Sequence, residues 1–136
     1  MIYLTRKEHF NAAHKLCNDN WSEAENRAVF GKCANEYFHG HNFDLFVTVK
    51  GKPNPDTGFV MNAHTLSQLM RKEVVERFDH KNLNMDVPYF KDKMPSSENL
   101  AMVIWDILDP LITDCELHCV KLQETPRIFV EYYGEK

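Results

Sequence analysis

The sequence predicts an α+β fold, and two observations support this expectation. Apolar residues alternate with a period of two in four segments, which is typical of β-strands, and they recur at helical spacing in two segments between them. The resulting order of two strands, two helices and two strands suits a four-stranded antiparallel sheet with the two helices packed on one face. The length of 136 residues fits a single domain covering 1–136.

The first two strands are predicted at 2–14 and 39–50. One face of the first strand carries Ile2, Leu4, Phe10, Ala12 and His14. One face of the second strand carries His39, His41, Phe43, Leu45, Val47 and Val49. Between the strands, Ser22-Glu23-Ala24-Glu25 is a capping-box pattern that predicts a short helix, and Gly31 is a suitable end for that helix.

Two longer helices and two strands complete the chain after a loop at 51–58. Asn62 is a suitable N-cap for the first helix, whose apolar stripe is Leu66, Leu69, Met70, Val74 and Phe78. The second helix begins at Pro95-Ser96-Ser97-Glu98, where hydroxyl groups can cap the helix. The last two strands are predicted at 117–124 and 128–133. Because helices cover only one face of such a sheet, we expect the other face to be a subunit interface and the chain to be an oligomer.

Composition excludes several classes of protein. The chain has 16 Lys and Arg residues against 20 Asp and Glu residues, a formal net charge of −4, which argues against a nucleic-acid-binding protein. No apolar run approaches the roughly 20 residues of a membrane span, and the first residues contain no apolar signal-peptide region. The four cysteines are too few and too irregularly spaced for a disulfide scaffold. These features indicate a cytoplasmic protein with reduced thiols and no membrane association.

Three histidines in the strands are candidates for a metal site. His39 and His41 are two residues apart on a predicted strand, so their side chains point to the same side. His14 ends the other N-terminal strand in phase with its apolar residues. If the two strands are neighbours, the three imidazoles can meet at a zinc ion with its fourth position open. Two alternatives remain: the histidines are satisfied by hydrogen bonds, or Cys33 closes the site as a fourth ligand.

Three further places in the sequence carry groups that could do chemistry. Cys33 lies in a polar, glycine-containing loop and on no apolar stripe, and thiolate chemistry there would need a lowered pKa. Asp79-His80 follows the first long helix, where a histidine can simply interact with the helix dipole. Glu124 lies in phase with Val120 and Leu122, so its carboxylate is predicted at the inward end of a strand. A ligand with two adjacent N–H donors would suit that carboxylate.

A series of motifs extends along nearly the whole chain. In order, these are Phe10-Asn11-Ala12-Ala13-His14, Phe30-Gly31-Lys32-Cys33, His39-Gly40-His41-Asn42-Phe43, Thr57-Gly58-Phe59-Val60-Met61-Asn62, Asp79-His80-Lys81-Asn82-Leu83-Asn84, Ser96-Ser97-Glu98-Asn99 and Glu124-Thr125. Together they resemble the 6-pyruvoyltetrahydropterin synthase family. A bacterial branch of the family contains the 6-carboxytetrahydropterin synthases of queuosine (7-deazaguanine) biosynthesis, which use the same substrate.

The resemblance implies a role for each candidate residue. The implied zinc ligands are His14, His39 and His41. The implied catalytic residues are Cys33 as the base, Asp79 and His80 as a proton-relay pair, and Glu124 as the anchor of the pterin ring. The implied substrate-binding residues are Glu124, Ser96 and Ser97, the serines standing where the family often has threonines. Two departures from the family are the Asn35–Phe38 loop, which leaves the side-chain specificity open, and Lys15 in place of arginine.

The implied fold is the tunnelling fold, whose subunits join their sheets into a barrel and assemble as a homohexamer. The implied activity is that of a zinc-dependent lyase of tetrahydrobiopterin biosynthesis, converting 7,8-dihydroneopterin triphosphate to 6-pyruvoyltetrahydropterin with elimination of triphosphate. The six-residue spacing from Cys33 to His39 favours this product over the 6-carboxy product. An alternative from another class is a non-catalytic zinc-binding oligomer, in which the histidines form a structural site.

Overall fold

The structure, a computed structural model, describes residues 1–135. Its sheet contains five strands, which are β1 (Ile2–His14), β2 (His39–Gly51), β3 (Lys81–Asn82), β4 (Glu116–Thr125) and β5 (Ile128–Tyr132). Their order in the sheet is β3-β1-β2-β4-β5. Neighbouring strands are antiparallel except for β3, which is parallel to β1.

The expectation of a four-stranded, wholly antiparallel sheet is therefore wrong, because β3 is a fifth strand and is parallel to β1. It pairs through Ala12 with Lys81 and through Ala13 with Asn82. Two residues are too few to show any alternation in the sequence. The strand forms where the chain, after the helix that ends at Phe78, runs along the outer edge of β1.

The three helices begin where the sequence predicts their caps. They are α1 (Glu23–Phe30), α2 (Ala63–Met70, continued by a π-helical turn at Arg71–Val75 and a last turn at Glu76–Phe78) and α3 (Ser97–Leu108). The predicted caps Ser22, Asn62 and Ser96 each accept a hydrogen bond from a backbone N–H of the first turn. Gly31 ends α1 with a φ of 57°, a left-handed conformation that glycine adopts readily. The π-helical turn was not predicted.

The core lies between one face of the sheet and the helices α2 and α3. On β2 the side chains of Phe43, Leu45, Val47 and Val49 are fully buried, as the alternating pattern predicts. Large apolar side chains of both helices face them, including Leu66, Met70, Ile104 and Leu108, all fully buried. Burial of each such side chain contributes about 1.5–3 kcal/mol to stability.

The other face of the sheet is not covered within the described chain. Tyr3 of β1 and Phe129 of β5 are about half exposed. Phe46 of β2 also lies on this face, below the ammonium groups of Lys7 and Lys121. Among residues 1–135, no helix is long and apolar enough to cross a membrane.

Candidate metal centre and active site

The pairing of β1 with β2 brings the three predicted histidines together at one end of the sheet. His14 lies opposite His39, and Ala12 lies opposite His41. The ring centroids of His14 and His39 are 4.5 Å apart, and those of His39 and His41 are 4.8 Å apart. The strand phase inferred from the sequence is therefore present in the structure.

Glu124 joins the three histidines from β4. Its side chain follows the two-residue alternation of the fully buried Val120 and Leu122 on that strand, so it points to the same face of the sheet, as expected from the sequence. The Oε1 atom of Glu124 lies 2.9 Å from Nε2 of His41 and 3.4 Å from Nε2 of His14. Potential ligand atoms of these four residues all lie within 4.8 Å of one another. A single cation can contact all of them.

The nitrogen atoms of this cluster fit a metal ion. Within the described chain, both ring nitrogens of His39 are buried without a hydrogen-bond partner, and the buried Nε2 atoms of His14 and His41 approach Oε1 of Glu124 without forming a hydrogen bond to it. Buried polar atoms normally have partners, so these nitrogens indicate a missing ligand. The Nδ1 atom of His14 donates to the carbonyl oxygen of Pro95 at 2.7 Å, which directs Nε2 into the cluster, as is usual for metal-binding histidines.

The protonation states of the cluster also suit a divalent cation. Burial lowers the pKa of His39, and the neighbouring imidazoles of His14 and His41 lower it further. Burial lowers the pKa of His41 as well, against the opposing effect of Glu124. The close contact with His14 lowers the pKa of Glu124 despite its burial. Neutral imidazoles and an ionised carboxylate are the forms that bind metal.

Cys33 lies beside the cluster without belonging to it. The short 3₁₀ turn Gly31–Ala34 carries Cys33, and the carbonyl oxygen of Cys33 accepts a hydrogen bond from Leu16 N–H at 2.7 Å, two residues after His14. Its sulfur is not in the set of mutually close ligand atoms found among residues 1–135. Burial raises the pKa of the Cys33 thiol, and the charge of Glu124 raises it further. The chain's own groups thus hold Cys33 as a thiol, opposite to the lowered pKa that base catalysis needs.

The two serines before α3 have different environments. Ser96 is the N-cap, and its hydroxyl accepts the N–H of Asn99 at 3.2 Å. Ser97 is 5% exposed, and its hydroxyl has no partner within the described residues. This hydroxyl lies near enough to Glu124 to contribute, as the smallest cause, to the lowered pKa of that carboxylate, although the two groups form no hydrogen bond. Of the two hydroxyls, that of Ser97 is the one available to a ligand beside Glu124.

Asp79 and His80 form a second polar group at the outer edge of β1. Asp79 Oδ1 accepts the N–H of Asn11 at 2.8 Å, and the N–H of His80 donates to the carbonyl oxygen of Asn11 at 2.6 Å. Nδ1 of His80 lies 2.9 Å from Oδ2 of Asp79. His80 has a φ of 59°, an uncommon conformation for a residue other than glycine and one often found at functional sites.

The structure does not bring Asp79 and His80 to the histidine cluster. They line a cleft of about 550 Å³ together with Asn11 and Asn42, and neither Cys33 nor any cluster residue lines it. A separate cleft of about 460 Å³ is lined by His41 and Glu124. Asn42 borders both clefts. The two groups therefore open onto separate clefts of one chain.

Two polar groups that organise these sites were not identified from the sequence. The carbonyl oxygen of Pro95 orients His14, and the backbone of Asn11 holds Asp79 and His80. Both act through main-chain atoms, which every residue possesses, so no residue type could have indicated them. The side chains of Asn11 and Asn42, which belong to two of the motifs above, form a hydrogen bond of 2.7 Å. Pairing of the two predicted strands with residue 11 opposite residue 42 could have suggested this bond.

Comparison with known proteins supports the resemblance seen in the sequence. A family model described as 6-pyruvoyl tetrahydropterin synthase matches residues 3–135. The 6-pyruvoyl tetrahydrobiopterin synthase of Pongo abelii is 44% identical over 97% of this chain and 91% of its own length. A 6-pyruvoyl tetrahydropterin synthase structure from Caenorhabditis elegans has a TM-score of 0.92 and 35% identity, covering 98% of this chain and 96% of its own. The 6-carboxy-5,6,7,8-tetrahydropterin synthase of Rickettsia bellii is 27% identical, over 96% of this chain and 99% of its own length.

Proposed function

The chain belongs to the 6-pyruvoyl tetrahydropterin synthase family, and we propose that it converts 7,8-dihydroneopterin triphosphate to 6-pyruvoyltetrahydropterin. The reaction is a carbon–oxygen lyase reaction that eliminates triphosphate. The observation that carries this proposal is the convergence of His14, His39, His41 and Glu124 on one point, with Cys33 beside them. That arrangement supplies a metal site, an acceptor for a pterin ring and a candidate base within one region of the chain.

The 6-pyruvoyl product is favoured over the 6-carboxy product. Identity to the 6-pyruvoyl enzyme of Pongo abelii is 44%, against 27% to the 6-carboxy enzyme of Rickettsia bellii. The spacing of six positions from Cys33 to His39 agrees with the 6-pyruvoyl type. The second candidate remains the 6-carboxy synthase of queuosine biosynthesis.

Zinc is the proposed metal, held by His14, His39 and His41. Three neutral imidazoles without a thiolate are typical of catalytic zinc sites, in which one position stays open. When bound, zinc supplies a Lewis acid for substrate oxygen atoms and a positive charge that lowers the pKa of nearby acids. The Cys33 thiol lies near enough to Glu124 for the charge of that carboxylate to raise the pKa of the thiol. A cation bound in the cluster would lower the pKa of Cys33, against the effects of burial and of Glu124.

Cys33 and the Asp79–His80 pair are the proposed base and acid. As the base, Cys33 takes protons from the carbon atoms of the substrate side chain that carry the hydroxyl groups. His80 returns protons, and Asp79 accepts the Nδ1–H of His80, which leaves Nε2 free to face the substrate. Internal proton shifts and loss of triphosphate balance the reaction without a redox cofactor.

A neighbouring subunit is the proposed source of the acid pair at each metal centre, because the two groups open onto different clefts of one chain. Among residues 1–135, only Ala12 and Ala13 of β1 pair with β3 along the outer edge of β1, and β5 has only β4 as a neighbour. Open edges of this kind pair with other chains unless they are blocked. Together with the uncovered face, they support sheets joined into a barrel in a homohexamer.

Replacing Glu124 with glutamine tests the pterin site directly. The carboxylate can accept two hydrogen bonds from the adjacent N–H donors of a pterin, worth ~3 kcal/mol together. Glutamine has nearly the same shape, but its amide group places an N–H donor opposite an N–H donor of the pterin. We expect affinity for 7,8-dihydroneopterin triphosphate, measured by fluorescence titration, to fall about a hundredfold while zinc content stays unchanged.

The matched control is Glu116→Gln on the same strand, where the carboxylate is exposed and lies 3.6 Å from Lys50 Nζ. That variant should bind the pterin as the unsubstituted protein does. Unchanged affinity in Glu124→Gln would place the pterin elsewhere. A loss of zinc in Glu124→Gln would make the carboxylate a metal ligand rather than a pterin anchor.

A further inference from the structure

Glu8 is a buried acid on the helix-facing side of β1, and the mechanism above does not use it. The side chain lies two residues from the fully buried Phe10, and Glu8 itself is only 8% exposed. In the sequence it interrupts the apolar face of the first strand. A carboxylate in this position requires partners, because burying an unpaired charge is very unfavourable.

Three side chains supply those partners, and two of them connect β1 to α2. The hydroxyl of Ser67 donates to Oε1 of Glu8 at 2.5 Å, and Nε of Arg71 donates to Oε2 at 3.2 Å. Arg6 lies 3.4 Å from Oε1. Burial by itself would raise the pKa of Glu8, but the hydrogen bonds from Ser67 and Arg71 outweigh it and lower the pKa. The group is an ionised acceptor bound to two successive turns of the helix.

Arg71 is the first residue of the π-helical turn in α2. The fully buried residues of this helix, Leu66, Met70, Val74 and Phe78, are spaced by four. In a regular α-helix each step of four residues advances about 40° beyond a full turn, so such a stripe drifts around the helix. A π-helical turn contains about one residue more than an α-helical turn, and this compensates for the drift, so Val74 and Phe78 still face the sheet. The turn thereby determines the position of the next residue, Asp79.

The segment that follows α2 forms a second set of hydrogen bonds to β1. Asn11, three residues beyond Glu8, binds Asp79 through its N–H and His80 through its carbonyl oxygen. The segment from Arg71 to His80 is thus attached to β1 at both ends. Glu8, Arg71, Asp79 and His80 all line the same cleft.

We propose that Glu8, acting through Ser67 and Arg71, is a positioning residue that holds the π-helical turn and so places the Asp79–His80 pair for proton transfer. This inference rests on the proposed function, because it assigns Glu8 a part in the same reaction. Glu8 touches no substrate atom in this account. Its effect on turnover passes through Asp79.

A double-mutant cycle tests this coupling. Glu8→Gln keeps the shape but weakens the charge-assisted bonds, and we expect kcat to fall about tenfold with KM and zinc content little changed. In an Asp79→Asn background, where the pair no longer works, Glu8→Gln should have no further effect on kcat. The control is Glu73→Gln, which removes an ion pair with Arg77 on the same helix and should leave kcat unchanged.

The same tenfold loss in both backgrounds, or an unchanged kcat in Glu8→Gln, would overturn the inference. If Glu8→Gln does not fold and bind zinc, Ser67→Ala and Arg71→Gln replace it in the cycle, since each removes one hydrogen bond and is expected to show the same dependence on Asp79. Absence of turnover in the unsubstituted protein would overturn the proposed function itself, and with it the relay that Glu8 is proposed to position.

Discussion

Turnover of 7,8-dihydroneopterin triphosphate is expected to fall at least ~100-fold when Cys33 is replaced by alanine, because a positioned base contributes a factor of about 10²–10⁴. Zinc content should stay at about one per chain, since Cys33 lies outside the set of mutually close ligand atoms among residues 1–135. The oligomeric state should also be unchanged. Steady-state kinetics, metal analysis and size measurement on one preparation check all three expectations.

Cys115→Ala is the matched control for this prediction. Cys115 is also a partly buried free thiol whose pKa is raised by burial, but it precedes β4 at the other end from Glu124. It should therefore retain full activity. If Cys33→Ala loses its zinc, Cys33 is a fourth ligand and the closed structural site is favoured; if it keeps full turnover, the base is another group.

Loss of bound zinc is the second large effect, expected for His39→Ala and for His41→Ala. Each change leaves two imidazoles where three converge. Removing even an outer-shell partner of a metal ligand costs about 10–100-fold in affinity, so removal of a ligand itself should exceed this. Metal analysis after dialysis should find near-stoichiometric zinc in the unsubstituted protein and almost none in either variant.

The control for the metal prediction is His64→Ala, which removes an exposed histidine near the start of α2. Its zinc content should equal that of the unsubstituted protein. Full retention of zinc in both His39→Ala and His41→Ala would refute the assignment of these residues as ligands. The three histidines would then be polar core residues whose partners lie elsewhere.

Local periodicity and capping explain most of what could be predicted of the fold. The strand predicted at 2–14 is observed as Ile2–His14, and that predicted at 39–50 is observed as His39–Gly51. These strands were predictable because one face of each is buried, so alternation is imposed on the sequence. The capping side chains that start the helices act within one turn, so they were visible in the sequence as well.

Features that depend on the fold as a whole were not predictable. β3 exists because two residues meet the edge of β1, and the π-helical turn exists because α2 must keep four buried residues against the sheet. Neither feature leaves a local pattern in the sequence.

The candidate site was predictable in part. The phase of His14, His39 and His41 on their strands was enough to expect convergence, and the structure brings them together. The roles of Cys33, Asp79, His80 and the serines came from the resemblance alone, and they remain predictions. The separation of Asp79 and His80 from the metal cluster was not predictable, because spacing along the chain does not determine distance in space.

The central claim is that this chain forms 6-pyruvoyltetrahydropterin, and the mass of its product tests this most directly. Purified, zinc-loaded protein is incubated with 7,8-dihydroneopterin triphosphate under reducing, oxygen-free conditions, and the pterin product is analysed by mass spectrometry. We expect a product with the mass of 6-pyruvoyltetrahydropterin, formed together with one triphosphate. A product with the mass of 6-carboxytetrahydropterin, or substrate recovered unchanged, would contradict it.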